Sequence, residues 1–480
     1  MSYEWIMLLW AAVQVLWIGA LGACVGSLTN VLVYRLPRGL SVVTPPSRCP
    51  SCSTRLTWRE NVPILGWLLL GGKCRFCKAK ISAEYPIVEG VAALLFVLFY
   101  AIWYMTPNHG TSPIGVEWQA FKPEWAMNGI QITWPTLVVV LTLFSCLLAT
   151  TLIDARTYTI PLELTWIPVG VALVAHPVHA LWVSAASRTG ELPITADGWV
   201  WSIATPGPMG WWWVGASIGG VLGVVIANVL LRAGLLKPSF ADYDEWEAGE
   251  RAKVASEAQA ADAEAASGSV IPPSEGVLAP DAGEAVEEGD DAFASGVSHD
   301  PEMWIQYPHA RREVLKELLF LAPALGLGMV GGWLATRLAG PGGADILTGR
   351  VVYDATVPLW LDALSGVLMG YLVGAGVVWG VRIFGSLAFG KEAMGLGDVH
   401  LLAAIGACLG WVDAVLAFFA ACFAGAFWGL AGRVFSGVFA KALPFGPYLA
   451  AGALAVVLFK HPIELGLTRL LRVPGGIDLP

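Results

Sequence analysis

Two aspartates and two cysteine pairs are the residues whose types and spacing could do chemistry. Asp398 lies in Gly395-Leu-Gly-Asp398, at the threshold of the apolar run that begins at Val399. An ionisable group at a membrane boundary is costly, about 2.5–3.5 kcal/mol at a helix centre, so it marks a functional position by default. The plainer reading is that Asp398 caps the next helix, since Asp is a favoured N-cap residue. Asp154 stands in the equivalent place, after the apolar run 134–153 and before Pro161. Two carboxylates brought close at one depth cannot both ionise easily, so they titrate as a pair. Such a pair suits peptide hydrolysis, one member taking a proton from water and the other giving one to the carbonyl oxygen or leaving amine. Against this, Asp154 could simply balance Arg156 at headgroup level. Gly395 and Gly397 either form a flexible turn or leave room for a substrate backbone.

The cysteine pairs are Cys49-Pro-Ser-Cys52 and Cys74-Arg-Phe-Cys77. Their spacing matches a four-thiolate zinc ribbon or knuckle, a closed site that holds a fold and leaves no coordination position for catalysis. Two structural disulfides are disfavoured, because cytosolic thiols stay reduced. Cys24, Cys146, Cys408 and Cys422 lie in apolar segments and read as small packing residues. His176 and His179 are three apart, with no acidic or sulfur partner nearby, and are expected at the outer membrane interface.

The elements that must position these residues follow from composition. Of 480 residues, 56% are hydrophobic and only 14% charged, against about 25% charged in soluble domains. The fold class is therefore an all-α polytopic membrane protein. Ten helices are expected, roughly 6–33, 86–105, 134–153, 162–184, 211–235, 315–337, 358–383, 399–412, 413–432 and 446–460. The first lacks a basic n-region and a cleavage site, so it reads as a retained helix. Lys and Arg crowd 34–80, whereas 106–133 holds only Lys122, which puts 34–80 in the cytoplasm and the N-terminus outside. Counting helices from there places Asp154 and Asp398 on the cytoplasmic side.

The expected organisation is a first transmembrane helix (1–33), a cytoplasmic four-cysteine domain (34–85), helices two to four with Asp154 (86–210), an insert (211–357) and a C-terminal helical region (358–480). The insert holds two helices around an acidic linker, 238–310, expected to be disordered apart from transient helix near Glu247–Ala266. The net charge of −9 is concentrated in that linker. No nucleic-acid partner is expected.

Several blocks in order resemble the type IV prepilin leader peptidases, membrane-embedded aspartic proteases of the Gly-x-Gly-Asp type. They are Gly26-Ser-Leu-Thr-Asn-Val-Leu-Val-Tyr-Arg-Leu-Pro37, Trp58-Arg-Glu-Asn-Val-Pro-Ile-Leu-Gly-Trp67 between the cysteine pairs, and Tyr85-Pro-Ile-Val-Glu89. Asp154…Pro161…Leu164-Thr165, Gly390–Asp398 running to Gly410, and Phe445-Gly-Pro-Tyr448 complete the set. The resemblance covers most of 20–185 and 361–460, that is, eight of the ten helices, with two extra. It implies that Asp154 and Asp398 are the catalytic pair. Its implied substrates are prepilin or pseudopilin precursors of a type IV pilus or type II secretion machine, cut at the cytoplasmic face of a bacterial inner membrane. It also implies N-methylation of the new N-terminus with S-adenosylmethionine, although no nucleotide-binding fingerprint stands out in 34–85. Asn30 and Glu89, near helix ends, either grip the leader or scissile backbone or bond one another as packing glue. Arg156, Leu162 and His400 depart from the family pattern, and 211–345 has no counterpart in it. Two other readings remain: a Gly-x-Gly-Asp protease for other helical substrates, and a transporter or assembly scaffold using the aspartates for ion coupling.

Overall fold

Apolar runs separated by glycine, proline and charge form helices in the computed structural model, which describes residues 3–111, 121–188, 210–243, 245–250, 307–339, 357–436 and 444–472, with scattered positions between. In order they are α1 (Tyr3–Arg35), α2 (Leu65–Leu69), α3 (Glu84–Tyr100), α4 (Ile130–Thr157), α5 (Leu162–Arg188) and α6 (Gly210–Arg232). Then come α7 (Ala310–Ala339), α8 (Leu359–Phe389), α9 (Leu396–Leu409), α10 (Trp411–Ser436), α11 (Phe445–Leu458) and α12 (Lys460–Leu471). A two-residue ribbon pairs Gly343–Ala344 with Val351–Val352. All ten expected transmembrane segments are helical.

Among the described residues, eight helices are long and apolar enough to cross a membrane, or nine if α11 and α12, bent by 85°, count as one span. The protein is an integral membrane protein. The exception is α9: its 14 residues reach only about 21 Å, short of a hydrocarbon core of about 30 Å. Such a short helix must be wrapped by protein, and every residue from Leu401 to Gly410 is buried.

By contact the chain divides into two units. The first comprises 1–226, 322–380 and 395–480. Within it, helices meet where glycine removes the side chain. A Cβ on Gly26 would lie 2.6 Å from the Glu89 Cα, so α1 and α3 touch backbone to backbone. Likewise the backbones of Gly370 in α8 and Gly406 in α9 meet face to face, with no space for a methyl group on either. This is the small-residue packing by which membrane helices associate without a hydrophobic driving force. Val33, Ala149, Ile153 and Leu164 form a buried cluster that joins α1, α4 and α5 directly beneath Asp154.

The second unit comprises 227–321 and 381–394. It is built from one end each of α6, α7 and α8 and the chain adjoining them. Here the expectation of a disordered 238–310 needs correction at its ends. Phe240, Tyr243, Tyr307 and Ala310 are buried together, with Trp246 packed against them. The aromatic residues were diluted by acidic neighbours in the composition, yet they are close enough in sequence to form a cluster of their own. The described positions between Tyr243 and Ser256 are helical, and residues 257–306 lie outside the described residues.

His176 and His179 also differ from expectation. Both are about 1% exposed rather than interfacial, and His176 Nε2 lies 3.3 Å from the Cys408 carbonyl oxygen of α9. A helix as short as α9 needs neighbours along its whole length, and the His176 imidazole helps to supply them.

Candidate active site and metal centre

Asp154 sits in the last turn of α4, buried, with its helix closed by Tyr158 in the left-handed conformation (φ 53°). Its carboxylate oxygen accepts a 3.0 Å hydrogen bond from the Gly446 amide. Gly446 is the second residue of α11, whose cap is Pro444, so an otherwise unpaired helix N-terminal donor points at Asp154. A Cβ on residue 446 would stand 2.6 Å from that same oxygen, so only glycine allows the approach. Arg156 does not compete: it pairs with Glu84 at the start of α3. The reading in which Asp154 merely balances Arg156 is thereby removed.

Asp398 is the third residue of α9, not its cap; Gly395 holds the cap position with extended backbone (φ −71°). The Asp398 carboxylate reaches back to the Gly395 amide, the geometry of the second half of a capping box. It also lies within electrostatic reach of the Asp154 carboxylate, so the two aspartates that are 244 positions apart in sequence come together. Gly397 explains how. A Cβ there would fall 2.9 Å from the Ile160 Cβ, in the link between α4 and α5, so the bare backbone lets that link press against the start of α9. The space beside Gly397 is thus filled by the chain itself, whereas Gly395 is exposed, and a Cβ there would meet only the Asp398 carboxylate at 3.7 Å and the Gly397 amide at 3.9 Å.

Asn30 and Glu89 bond to partners other than the two aspartates. Asn30 Nδ2 donates to the Tyr85 carbonyl at 3.1 Å, fastening α1 to the first turn of α3. Glu89, buried in α3, accepts the Ile64 amide at 2.6 Å and so anchors the cysteine-bearing segment. They do not bond one another.

Cys49, Cys52, Cys74 and Cys77 converge, their four sulfurs all within 4.8 Å of one another. The Cys49–Cys77 and Cys52–Cys74 separations are 3.8 and 4.0 Å. A tetrahedron with metal–sulfur bonds of about 2.3 Å has edges of about 3.8 Å, so the set fits zinc. The two pairs lie on matching turns. The Cys49 amide donates to Thr54 and the Cys74 amide to Ala79, while Ser53 (φ 56°) and Lys78 (φ 59°) both take the left-handed conformation. Hydrogen bonding with the Thr54 hydroxyl and backbone brings the Cys52 thiol down to about 6, favouring the thiolate that binds metal. Between the turns, Glu60 takes the Thr57 hydroxyl and amide and the Arg75 guanidinium, which hold its carboxyl down to about 2.

Residues 20–103 match the family model described as the Bacterial Peptidase A24 N-terminal domain, and 346–430 match the Type IV leader peptidase family. At those two segments the chain resembles the type IV leader peptidases. A prepilin leader peptidase/N-methyltransferase of Myxococcus xanthus is 51% identical over 76 residues, covering 16% of this chain and 23% of that protein. One from Pectobacterium carotovorum is 31% identical over 169 residues, covering 31% and 50%. Another, from Stutzerimonas stutzeri, is 29% identical over 260 residues, covering 44% and 79%. The chain thus spans 23% and 50% of the length of the first two relatives. No solved structure matches it. Asp398 and the four cysteines fall inside the matched leader peptidase segments; Asp154 falls outside them, and its place beside Asp398 rests on geometry.

Proposed function

We propose that this protein is a membrane-embedded aspartic endopeptidase that removes the leader of type IV prepilins or pseudopilins at the cytoplasmic face of a bacterial inner membrane. The observation that carries the reading is the meeting of Asp154 and Asp398 at the mouths of apolar helices, inside a chain that resembles leader peptidases at two separate segments.

The pair holds one proton between its two carboxyls, since like charges so close resist double ionisation. The ionised member takes a proton from a water as that water attacks the scissile carbonyl carbon. The protonated member gives its proton to the carbonyl oxygen. Collapse of the tetrahedral intermediate returns a proton to the leaving amine and restores the pair. The Gly446 amide fixes the orientation of Asp154 through these changes. Gly395, exposed and without a side chain beside Asp398, offers space for the extended backbone of the precursor. Asn30 and Glu89 would act at a distance, by holding α1, α3 and the cysteine domain in register.

Zinc would be held by Cys49, Cys52, Cys74 and Cys77, where it supplies structural cross-linking. N-methylation of the new terminus with S-adenosylmethionine is a second proposed activity, on the strength of the relatives' names. In 36–83 the one carboxylate is Glu60, and Thr57 and Arg75 already occupy it, so no acidic group there is left for a ribose. We therefore assign no residue to that cosubstrate and no step to it.

The test is cleavage of a precursor bearing a short basic leader and an apolar helix, by purified protein in detergent or liposomes. Asp154→Asn and Asp398→Asn should each abolish leader removal while inserting and accumulating normally. Near wild-type processing by either well-folded variant would refute the assignment.

A further inference from the structure

Arg382 lies in α8 and is about 1% exposed, as is Glu317 of α7. Its Nε donates to Glu317 at 2.6 Å, and Nη1 donates both to Glu392 and to the Met394 carbonyl. The Phe240 ring stacks beneath the guanidinium at 5.1 Å. Around this centre the same unit is densely tied. The Ser239 hydroxyl donates to Glu317 at 3.1 Å and the Phe240 amide to Glu313 at 2.8 Å. Tyr307 gives its amide to the Gly390 carbonyl at 2.7 Å and its hydroxyl to Asp242 at 2.8 Å. The Ala393 amide donates to the Ser386 hydroxyl.

None of these groups touches the proposed reaction. Buried ion pairs are weak sources of stability, because desolvation offsets most of the Coulomb gain. Their better use is to specify one conformation among several, and here the conformation specified is that of 390–394. Gly390 turns the chain out of α8 with φ 64°, and its carbonyl and one polar group each of Glu392, Ala393 and Met394 are held by Tyr307 at the linker end and by Arg382 and Ser386 of α8. The next residue after Met394 is Gly395, followed within three positions by Asp398. Glycines on both sides of Leu396 leave that short stretch conformationally permissive, so its path depends on how firmly the chain before it is held.

We propose that Arg382 is a positioning residue. Together with Glu317, Glu392 and the aromatic clasp of Phe240, Tyr243, Trp246 and Tyr307, it makes the start of α7 and the linker ends a brace for the chain 390–394, which leads into Gly395 and Asp398. The proposal deepens the peptidase reading and rests on it for its kinetic consequence.

The test uses full-length protein with two readouts. Glu392→Gln, at the partly exposed rim of the knot, removes one negative charge with little risk to folding; Arg382→Lys keeps the positive charge but loses the planar guanidinium that reaches Glu317, Glu392 and Met394 together. Both should raise amide hydrogen exchange across 390–398 while leaving 140–153 unchanged. Both should lower kcat for precursor cleavage by about tenfold to a hundredfold with KM within about twofold, as small misplacement of a catalytic group does. Unchanged exchange and unchanged kcat in a folded Glu392→Gln protein would overturn the brace. So would a loss confined to thermal stability, with kcat intact. If wild-type protein does not cleave the precursor, the peptidase reading fails, and the exchange measurement still decides whether Arg382 holds the loop.

Discussion

A single amide bears on the proposed chemistry at the residue scale. Asp154 lies at the C-terminal end of its own helix, where the dipole disfavours a negative charge, and the N-terminus of α11 opposes that with the Gly446 N–H. Gly446→Ala would push a methyl group to 2.6 Å from the carboxylate oxygen. Cleavage by this variant should fall by about tenfold or more while the protein inserts normally, since a displaced catalytic group loses rate steeply. Gly446→Ala with full activity would mean that the amide contributes nothing. The two aspartates were legible in the sequence because charge is scarce in an apolar chain. Their partners were not: Asp154 and Gly446 are 292 positions apart, and a glycine carries no chemical signal of what its missing side chain admits. The pairing of Arg156 with Glu84 was equally hidden, although both residues were in plain view.

Elements were the easiest features to anticipate, and their exceptions have physical causes. Ten apolar runs became ten helices, because a membrane leaves an unpaired backbone no other economical state. The amphipathic α12 went unnoticed, being short, polar and attached at 85° to α11. The cysteine turns were legible from spacing alone, since a tetrahedral thiolate site requires two closely spaced pairs. What spacing could not convey is that Glu89 docks this domain onto α3 through Ile64. Purified protein should carry about one zinc per chain, and Cys49→Ser with Cys74→Ser should lose it. Protease should then cut within 39–83 first, and leader removal should weaken far less than in the aspartate variants. Active protein free of zinc by metal analysis would contradict this.

For the whole molecule, the question is what an insert of this length does between the two aspartates of the proposed pair. Its helices α6 and α7 pack through Gly215, Gly219 and Gly223 against the backbone of 323–331, too closely for any side chain. An even number of added crossings keeps every later helix in its original sense, so Asp398 can still meet Asp154. The acidic stretch within the insert contributes differently along its length. Its outer parts hold the clasp, with the Trp246 and Tyr307 rings only 4.9 Å apart, so the chain leaves and returns at nearly one point. A segment that starts and ends together can be shortened at small entropic cost, because closure entropy changes only with the logarithm of loop length. Replacing 257–306 with a short Gly/Ser connector should therefore preserve insertion, zinc content and cleavage within about twofold. Extending the deletion back to 240 removes Phe240, Tyr243 and Trp246, and should lower kcat as Glu392→Gln does. Should both deletions cleave equally well, the linker ends play no part in setting the loop; should the shorter one abolish cleavage, the acidic middle must itself engage the precursor, whose basic leader carries the opposite charge.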